Sequence, residues 1–301
     1  MSKTEEDEVA GVRLTHPDKV LYPDQGLTKR ALANYLAGVA RHMLPFAAKH
    51  PLSLVRCPDG IGDKCFFQKH LTASMPKSFK TVSIREKDGG KADYLYVEDA
   101  SGIVAAAQIG ALELHVWGAP NDDLEHPDRM VFDLDPDASV AFAEVKAAAG
   151  DLRSVLEAAG LQSFAMVTGG KGIHVIAPLS GRNDWEEVKT FVSGLARSFA
   201  DRDPDRFVAT ASKAKRKGRI FIDWLRNERG ATAILPYSPR ARKGAPVAVP
   251  VGWNELSRLT SAAAFDTVAV LKRLKAGKRD PWPGYRKGQH LGKAAIETVA
   301  S

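Results

Sequence analysis

VFDLDP, running from Val131 to Pro136, is the stretch whose reading decides the fold. Val131, Phe132 and Leu134 belong inside a sheet; Asp133 and Asp135 do not. Residues i and i+2 of a strand point to the same face, so the two carboxylates stand side by side. Like charges held together on a half-buried surface are costly unless something positive lies between them. The rest of the chain has to supply that positive charge, or the pair is a surface accident.

Outward from this stretch, residues 130–134 read as a short strand. Residues 139–159 carry Phe142, Val145, Ala149, Leu152, Leu156 and Ala159 at steps of three and four, a helical stripe stopped by Gly160. Asp137 or Ser139 is its cap candidate, which leaves Asp133 and Asp135 without a structural task. QSFAMVT reads as a strand, GGKG as a turn and IHVIAPL as another strand. Trp185, Val188, Phe191, Val192, Leu195 and Phe199 mark a helix over 185–200, and RIFIDWL a further strand. The order β-α-β-β-α-β is the ferredoxin-like split unit. In that topology the first strand lies between the third and the fourth. Asp133, Asp135, His174 and Asp223 then converge on one sheet surface.

The rest of the chain reads less sharply. Its 301 residues suffice for one large domain or two intertwined halves. The first ten residues read as a mobile tail and the last eleven as another. Thr28 is an N-cap candidate for a helix with Leu32, Tyr35, Leu36, Val39 and Met43 on its apolar side. PLSLVRCPDGI reads as a strand and turn, SIREKDGGKADYLYVED as a hairpin, and SGIVAAAQIGALELHVWGAP as a buried helix entering a strand. RGATAILPYSPRARKGAPVAVPVGW reads as an extended basic flap, with two amphipathic segments after it at 254–275. The net charge of +7 suggests a polyanionic partner. No apolar run approaches the roughly 20 residues of a membrane helix. Cys57 and Cys65 match no common zinc spacing, and a reduced cytosolic setting is the simplest reading.

Three converging carboxylates suit hard divalent cations, which share carboxylate oxygens with substrate phosphates. Two such ions about 3.5–4 Å apart activate an attacking hydroxyl and stabilise a leaving pyrophosphate. The plain alternative is a surface pair at the start of a helix. The GGKG turn exposes backbone N–H groups to phosphate oxygens, and Lys171 adds a charge. Its spacing is not that of a Walker A motif, because a strand comes next where a helix should; alone it is a hairpin turn. His174 is either part of this cluster or a satisfied core histidine. Arg240 and Arg242 bring positive charge for a polyphosphate. SKAKRKGR (212–219) is a cationic run leading into the strand of Asp223, placed to grip a nucleic-acid backbone. Phe66 and Phe67 face opposite ways in a strand, so one is expected in the core and the other as a base-stacking platform.

HPDKVLYP, LTK, FFQKH, ELHVWG, VFDLDP, GGKGIHV, FIDWLRN and YSPRAR occur in this order. Together they resemble the polymerase (primase-like) domain of bacterial DNA ligase D, in the archaeo-eukaryotic primase superfamily, over residues 11 to 290. The resemblance implies an α+β primase-polymerase fold. A catalytic half (129–253) packs on an N-terminal α/β half (11–128), with C-terminal helices at 254–290. It implies Asp133, Asp135 and Asp223 as acids for two Mn2+ or Mg2+ ions. Thr168 (where the family commonly has serine), Lys171, Gly172, His174 and Arg240 would contact the nucleotide triphosphate, with His115 nearby. Lys19 and Lys29 would hold a 5′-phosphate at a DNA break or gap. Phe66 or Phe67 would stack on the template base beside Arg56, and Arg216 would serve near the catalytic loop. The implied reaction is addition of ribo- or deoxyribonucleotides to a DNA 3′ end in non-homologous end joining. The implied setting is a monomer in the bacterial cytoplasm, at the nucleoid, working with a DNA ligase and the Ku end-binding protein and with no membrane.

Two rival readings stand beside it. DLDPDAS also resembles the haloacid dehalogenase phosphatase signature, with Asp133 as nucleophile, but that fold needs alternating parallel β-α units. A non-catalytic module like an RNA-recognition domain shares the split unit, but carries aromatics where this sheet carries aspartates.

Overall fold

The computed structural model describes residues 7–86, 88–277 and 280–300. They form two compact units. One holds the chain up to Trp117, Ile234–Ala248, and the segment from Phe265 that carries the helix Thr267–Lys275. The other holds Gly118–Ala233, Val249–Ala264 and the C-terminal residues. The chain leaves and re-enters each unit.

The second unit is built on a six-stranded sheet. Its order is Phe207–Val208, Ile220–Asp223, Arg129–Pro136, Ile173–Pro178, Phe164–Val167, Val249–Val251. The strand carrying VFDLDP is central and antiparallel to both neighbours. This is the β-α-β-β-α-β order expected, and it is incompatible with the parallel sheet of the phosphatase reading. The helices Phe142–Ala158 and Trp185–Arg202 are the two crossovers. The first joins Arg129–Pro136 to Phe164–Val167 and the second joins Ile173–Pro178 to Phe207–Val208; each joined pair is parallel, while the two pairs run antiparallel to each other and step in opposite directions along the sheet. Right-handed connections therefore put both helices on one face and leave the other face for the aspartates. Phe132 and Leu134 alternate with the acids and are fully buried, contributing about 1.5–3 kcal/mol each. Asp184 and Glu187 form a capping box at the second helix.

In the first unit, the Thr28 hydroxyl accepts from the Ala31 N–H and starts the helix Lys29–Ala47, whose Leu32, Leu36, Val39 and Met43 are buried. It packs on the helix Ala100–Gln108. Leu52–Arg56 lies antiparallel between Phe66–Gln68 and Ala111–Trp117. Lys80–Arg85 and Lys91–Tyr96 form the expected hairpin.

Several local expectations change. Residues 1–6 of the tail lie outside the described residues, but Glu8–Val9 pairs with Val12–Arg13. At the other end Lys293–Ala300 is a helix packed on Trp185–Arg202, where Gly194 permits close approach to the Val299 backbone. The helix after VFDLDP starts at Phe142, and its N-cap Ala141 makes no side-chain bond. Asp137 instead accepts from the N–H and hydroxyl of Ser139, closing a turn before the helix. The basic flap is not extended over its middle: Pro239 bridges to Val247, and Ala245, Val247 and Ala248 are buried. Cys57 and Cys65 are joined in a disulfide, not separate thiols, because the turn between their strands brings them together.

Candidate active site

The site in the second unit is a row across the sheet. Asp133 lies directly opposite His174 on one neighbouring strand and directly opposite Asp223 on the other. Such cross-strand partners have Cβ atoms about 4.5–5.5 Å apart on one face. Asp135 lies two residues further on that face, opposite Phe221. The positive charge that the carboxylates require comes from two arginines. Arg226 places Nε 3.6 Å from Asp133 and a terminal nitrogen 3.0 Å from Asp223. Arg216 meets Asp135 at 3.0 Å, with its guanidinium 3.8 Å over the Phe221 ring. Neither arginine fully compensates. Burial pushes the carboxyls of Asp135 and Asp223 up, and the neighbouring charge of Asp133 adds to this, against the opposing pull of the arginines.

The turn that holds Arg226 is fixed by Asn227, which is 1% exposed. Its side-chain oxygen accepts from the Val131 N–H, and its amide donates to the Val131 carbonyl, both at 2.7 Å. This continues the ladder one step past Asp223 with a side chain in place of backbone. The wall of the site is therefore as firmly held as the sheet itself.

Hard carboxylate oxygens with surplus negative charge are the donor set a small divalent cation prefers. Among the described residues no three acids, histidines or cysteines already close around one point. The carboxylates here are turned toward two guanidiniums. A cation that displaced Arg226 would meet Asp133 and Asp223, which already share that one guanidinium. The residues fit a metal in charge and ligand type.

His174 is 3% exposed, with Nε2 3.4 Å from Asp133. Among the described residues nothing hydrogen-bonds its buried Nδ1. It is thus not a satisfied core histidine, since an orphaned buried nitrogen is costly without a partner. The glycine turn lies alongside. Thr168 donates its hydroxyl proton to the Gly172 carbonyl at 3.0 Å, and its N–H bonds the same oxygen at 3.3 Å. In this structure the hydroxyl proton is directed into the turn. Lys171 is exposed at the tip. Gly172 sits against the Leu134 carbonyl so closely that a Cβ would overlap it.

The remaining candidates belong to the first unit. Phe66 and Phe67 are 39% and 70% exposed, so neither is the core residue expected of one of them. Their strand pairs with one neighbour only and leaves both rings outside. Arg56 lies beside them as expected, 5.3 Å over the Phe66 ring, and is held by Ile109 O and Gln68. Lys19 bonds Asp59. Lys29 is buried, and its ammonium donates to the carbonyls of Thr15 and Gln108. Burial lowers its pKa, and the nearby charge of Lys19 lowers it further. His115 Nε2 is 2.8 Å from Glu113, and Arg240 Nε is 3.1 Å from the other oxygen of the same carboxylate.

Residues 28–282 match the family model "LigD, primase-polymerase domain". The chain belongs to the LigD primase-polymerase family. Membership makes it a nucleotidyltransferase of a metal-dependent class. It is 39% identical over 278 residues to the "Multifunctional non-homologous end joining protein LigD" of Pseudomonas aeruginosa, covering 92% of this chain and 33% of that protein. It is 28% identical to the bifunctional LigD of Bacillus subtilis, over 95% of this chain and 46% of that one. It therefore spans a third to a half of these curated relatives. The solved "Polymerase Domain from Mycobacterium tuberculosis Ligase D in complex with DNA" superposes with a TM-score of 0.81 at 32% identity, covering 88% of this chain and 94% of that one.

Three residues of this LigD primase-polymerase chain escape a reading of single motifs. Arg226 and Asn227 both lie in FIDWLRN, but only cross-strand register puts one on the aspartates and the other on Val131. Glu113, in ELHVWG, is overshadowed by its neighbour His115. A carboxylate inside an otherwise apolar strand is the signal that marks it.

Proposed function

We propose that this domain adds nucleotides to the 3′ end of DNA at breaks and gaps, in bacterial non-homologous end joining. The observation that carries the reading is the register that sets Asp223, Asp133 and His174 in one row, with Asp135 beside it and the glycine turn adjoining. Asp133, Asp135 and Asp223 would hold two ions, Mn2+ or Mg2+. When bound, such ions acidify the primer 3′-hydroxyl and neutralise the departing pyrophosphate. The chain's own residues orient the reactants for in-line attack on the α-phosphorus. Lys171 and the backbone of the turn at Gly172 take phosphate oxygens, and the Nδ1 of His174 meets a polar group of the nucleotide. His115 and Arg240 contact the triphosphate as well. Thr168 shapes the turn.

Phe66 and Phe67 form a platform for a template base, with Arg56 holding one ring from behind. Lys19 and Lys29 receive a 5′-phosphate. Burial first, and then the nearby charge of Lys19, lower the pKa of Lys29, and an anion between the two ammonium groups would relieve both effects. Arg216 and the exposed run around it track the DNA backbone. In this reading the domain is a cytoplasmic monomer at the nucleoid, cooperating with a ligase and Ku. It takes ribo- and deoxyribonucleoside triphosphates.

The test is a duplex with a 5′-phosphorylated gap, given each nucleotide in turn with manganese or magnesium. Primer growth that obeys the template base is expected. No growth with any nucleotide or metal would refute the proposal.

A further inference from the structure

Glu113 is a carboxylate in a place where carboxylates are rarely found. It is 6% exposed, in the strand Ala111–Trp117, between buried Leu112 and Leu114. A buried charge persists only where donors and opposite charges surround it. Glu113 has all of these. One oxygen is 2.8 Å from His115 Nε2. The other accepts the Ala241 N–H at 2.9 Å and faces Arg240 Nε at 3.1 Å. The Tyr22 hydroxyl, also buried, donates to the Arg240 carbonyl at 3.0 Å and holds the same loop from its other side. Burial alone would raise the Glu113 carboxyl, yet His115, Arg240 and the Ala241 N–H hold it down at about 2.

Each contact has a separate consequence. His115 is two residues along the same strand and therefore on the same face, so the carboxylate fixes its ring orientation. Arg240 is contacted at Nε, on the stem side of the guanidinium, which sets the plane of the group. Ala241 is bonded through its backbone, which ties the loop bearing Arg240 to the strand bearing His115. One anion thereby assembles an imidazole and a guanidinium that lie 125 residues apart in sequence, in a fixed mutual geometry.

We propose that Glu113 is the positioning residue for nucleotide binding: it touches no substrate, and it orients the His115 ring and the Arg240 guanidinium as a preset pair of groups for the triphosphate. This rests on the reading that His115 and Arg240 contact the nucleotide. A preset pair loses little freedom when the phosphates arrive, which is where the affinity gain lies.

The experiment measures KM and kcat for nucleotide addition to a gapped duplex, with binding of ATP and of inorganic triphosphate measured separately. The variants are Glu113→Gln, His115→Ala, Arg240→Ala and the double variant Glu113→Gln/Arg240→Ala. Glu113→Gln keeps the size of the side chain but presents an amide that cannot be anionic. It should raise nucleotide KM and weaken triphosphate binding about tenfold or more, leaving DNA affinity unchanged. In the Arg240→Ala background the same change should add much less than in the wild type, because the two act through one contact. Wild-type KM for a folded Glu113→Gln, or a fully additive loss in the double variant, would overturn the proposal. If His115→Ala and Arg240→Ala each leave KM unchanged, the underlying reading fails and this proposal with it. Should Glu113→Gln not fold, Glu113→Asp withdraws the carboxylate by one methylene. A raised KM in that folded variant supports the proposal, and an unchanged one overturns it.

Discussion

Replacing Gly172 with alanine should separate the glycine turn from the aspartates. The new Cβ would fall about 1 Å inside an ordinary carbon–oxygen separation from the Leu134 carbonyl, and 3.3 Å from its carbon. Leu134 cannot yield. It pairs with Ile173 on one side and Ile222 on the other, in the centre of the sheet. The turn must move instead, and it carries Lys171 and the backbone that Thr168 closes. Overpacking of this kind costs about 1–3 kcal/mol of stability. The larger effect is on the reaction, since about 1 Å of misplacement between reacting groups costs on the order of 100-fold in rate. Single-nucleotide gap filling gives kcat and KM. Thermal denaturation and binding of the gapped duplex report whether the fold and DNA contact survive. A folded Gly172→Ala that extends primers within about threefold of the wild type would refute the claim that close approach of turn and strand builds the site.

The same geometry sets other outcomes. Asp133→Asn should reduce extension to background while the basic surfaces still bind DNA; extension at a wild-type rate would remove the row of acids from the reaction. Arg226→Ala takes a cation from Asp133 and Asp223, so Mn2+ measured by electron paramagnetic resonance should bind more tightly, by up to about tenfold; weaker binding would mean that Arg226 helps to hold the metal. The Glu113 carboxyl is depressed from 4.5 to about 2, so its contribution is fully present above the unfolded value and is lost as pH falls through about 4.5 towards 2. That contribution is about 3 kcal/mol, and in urea denaturation Glu113→Gln should flatten the acid side of the stability curve; parallel curves for the two proteins would contradict it. Finally, a gap bearing a 5′-phosphate should bind more tightly than one bearing a 5′-hydroxyl, and Lys19→Ala should erase the difference; equal binding by the unmutated protein would end that role.

Sequence alone determined the local periodicities and their direct consequences. The stripes of Leu32 to Met43 and of Val188 to Phe199 are helices because every contact that defines them lies within a few residues. The parity of Asp133 and Asp135 against Phe132 and Leu134 needs only the pleat of a strand. The order of elements then places Asp223 and His174 on the flanking strands, as the ladders bear out. Tertiary structure alone decided how each polar group is used. Arg226 and Arg216 take up the acid charge, the Thr168 proton is spent on Gly172, the Lys29 ammonium sits on two carbonyls, and both phenylalanines lie outside. Glu113 joins His115 to an arginine far along the chain, and Cys57 finds Cys65 across a turn. The physical reason is range. Periodicity is set by neighbours along the chain, whereas the partner of a charge or a proton is set by whatever the fold brings within about 3 Å of it, and no spacing in the sequence carries that distance.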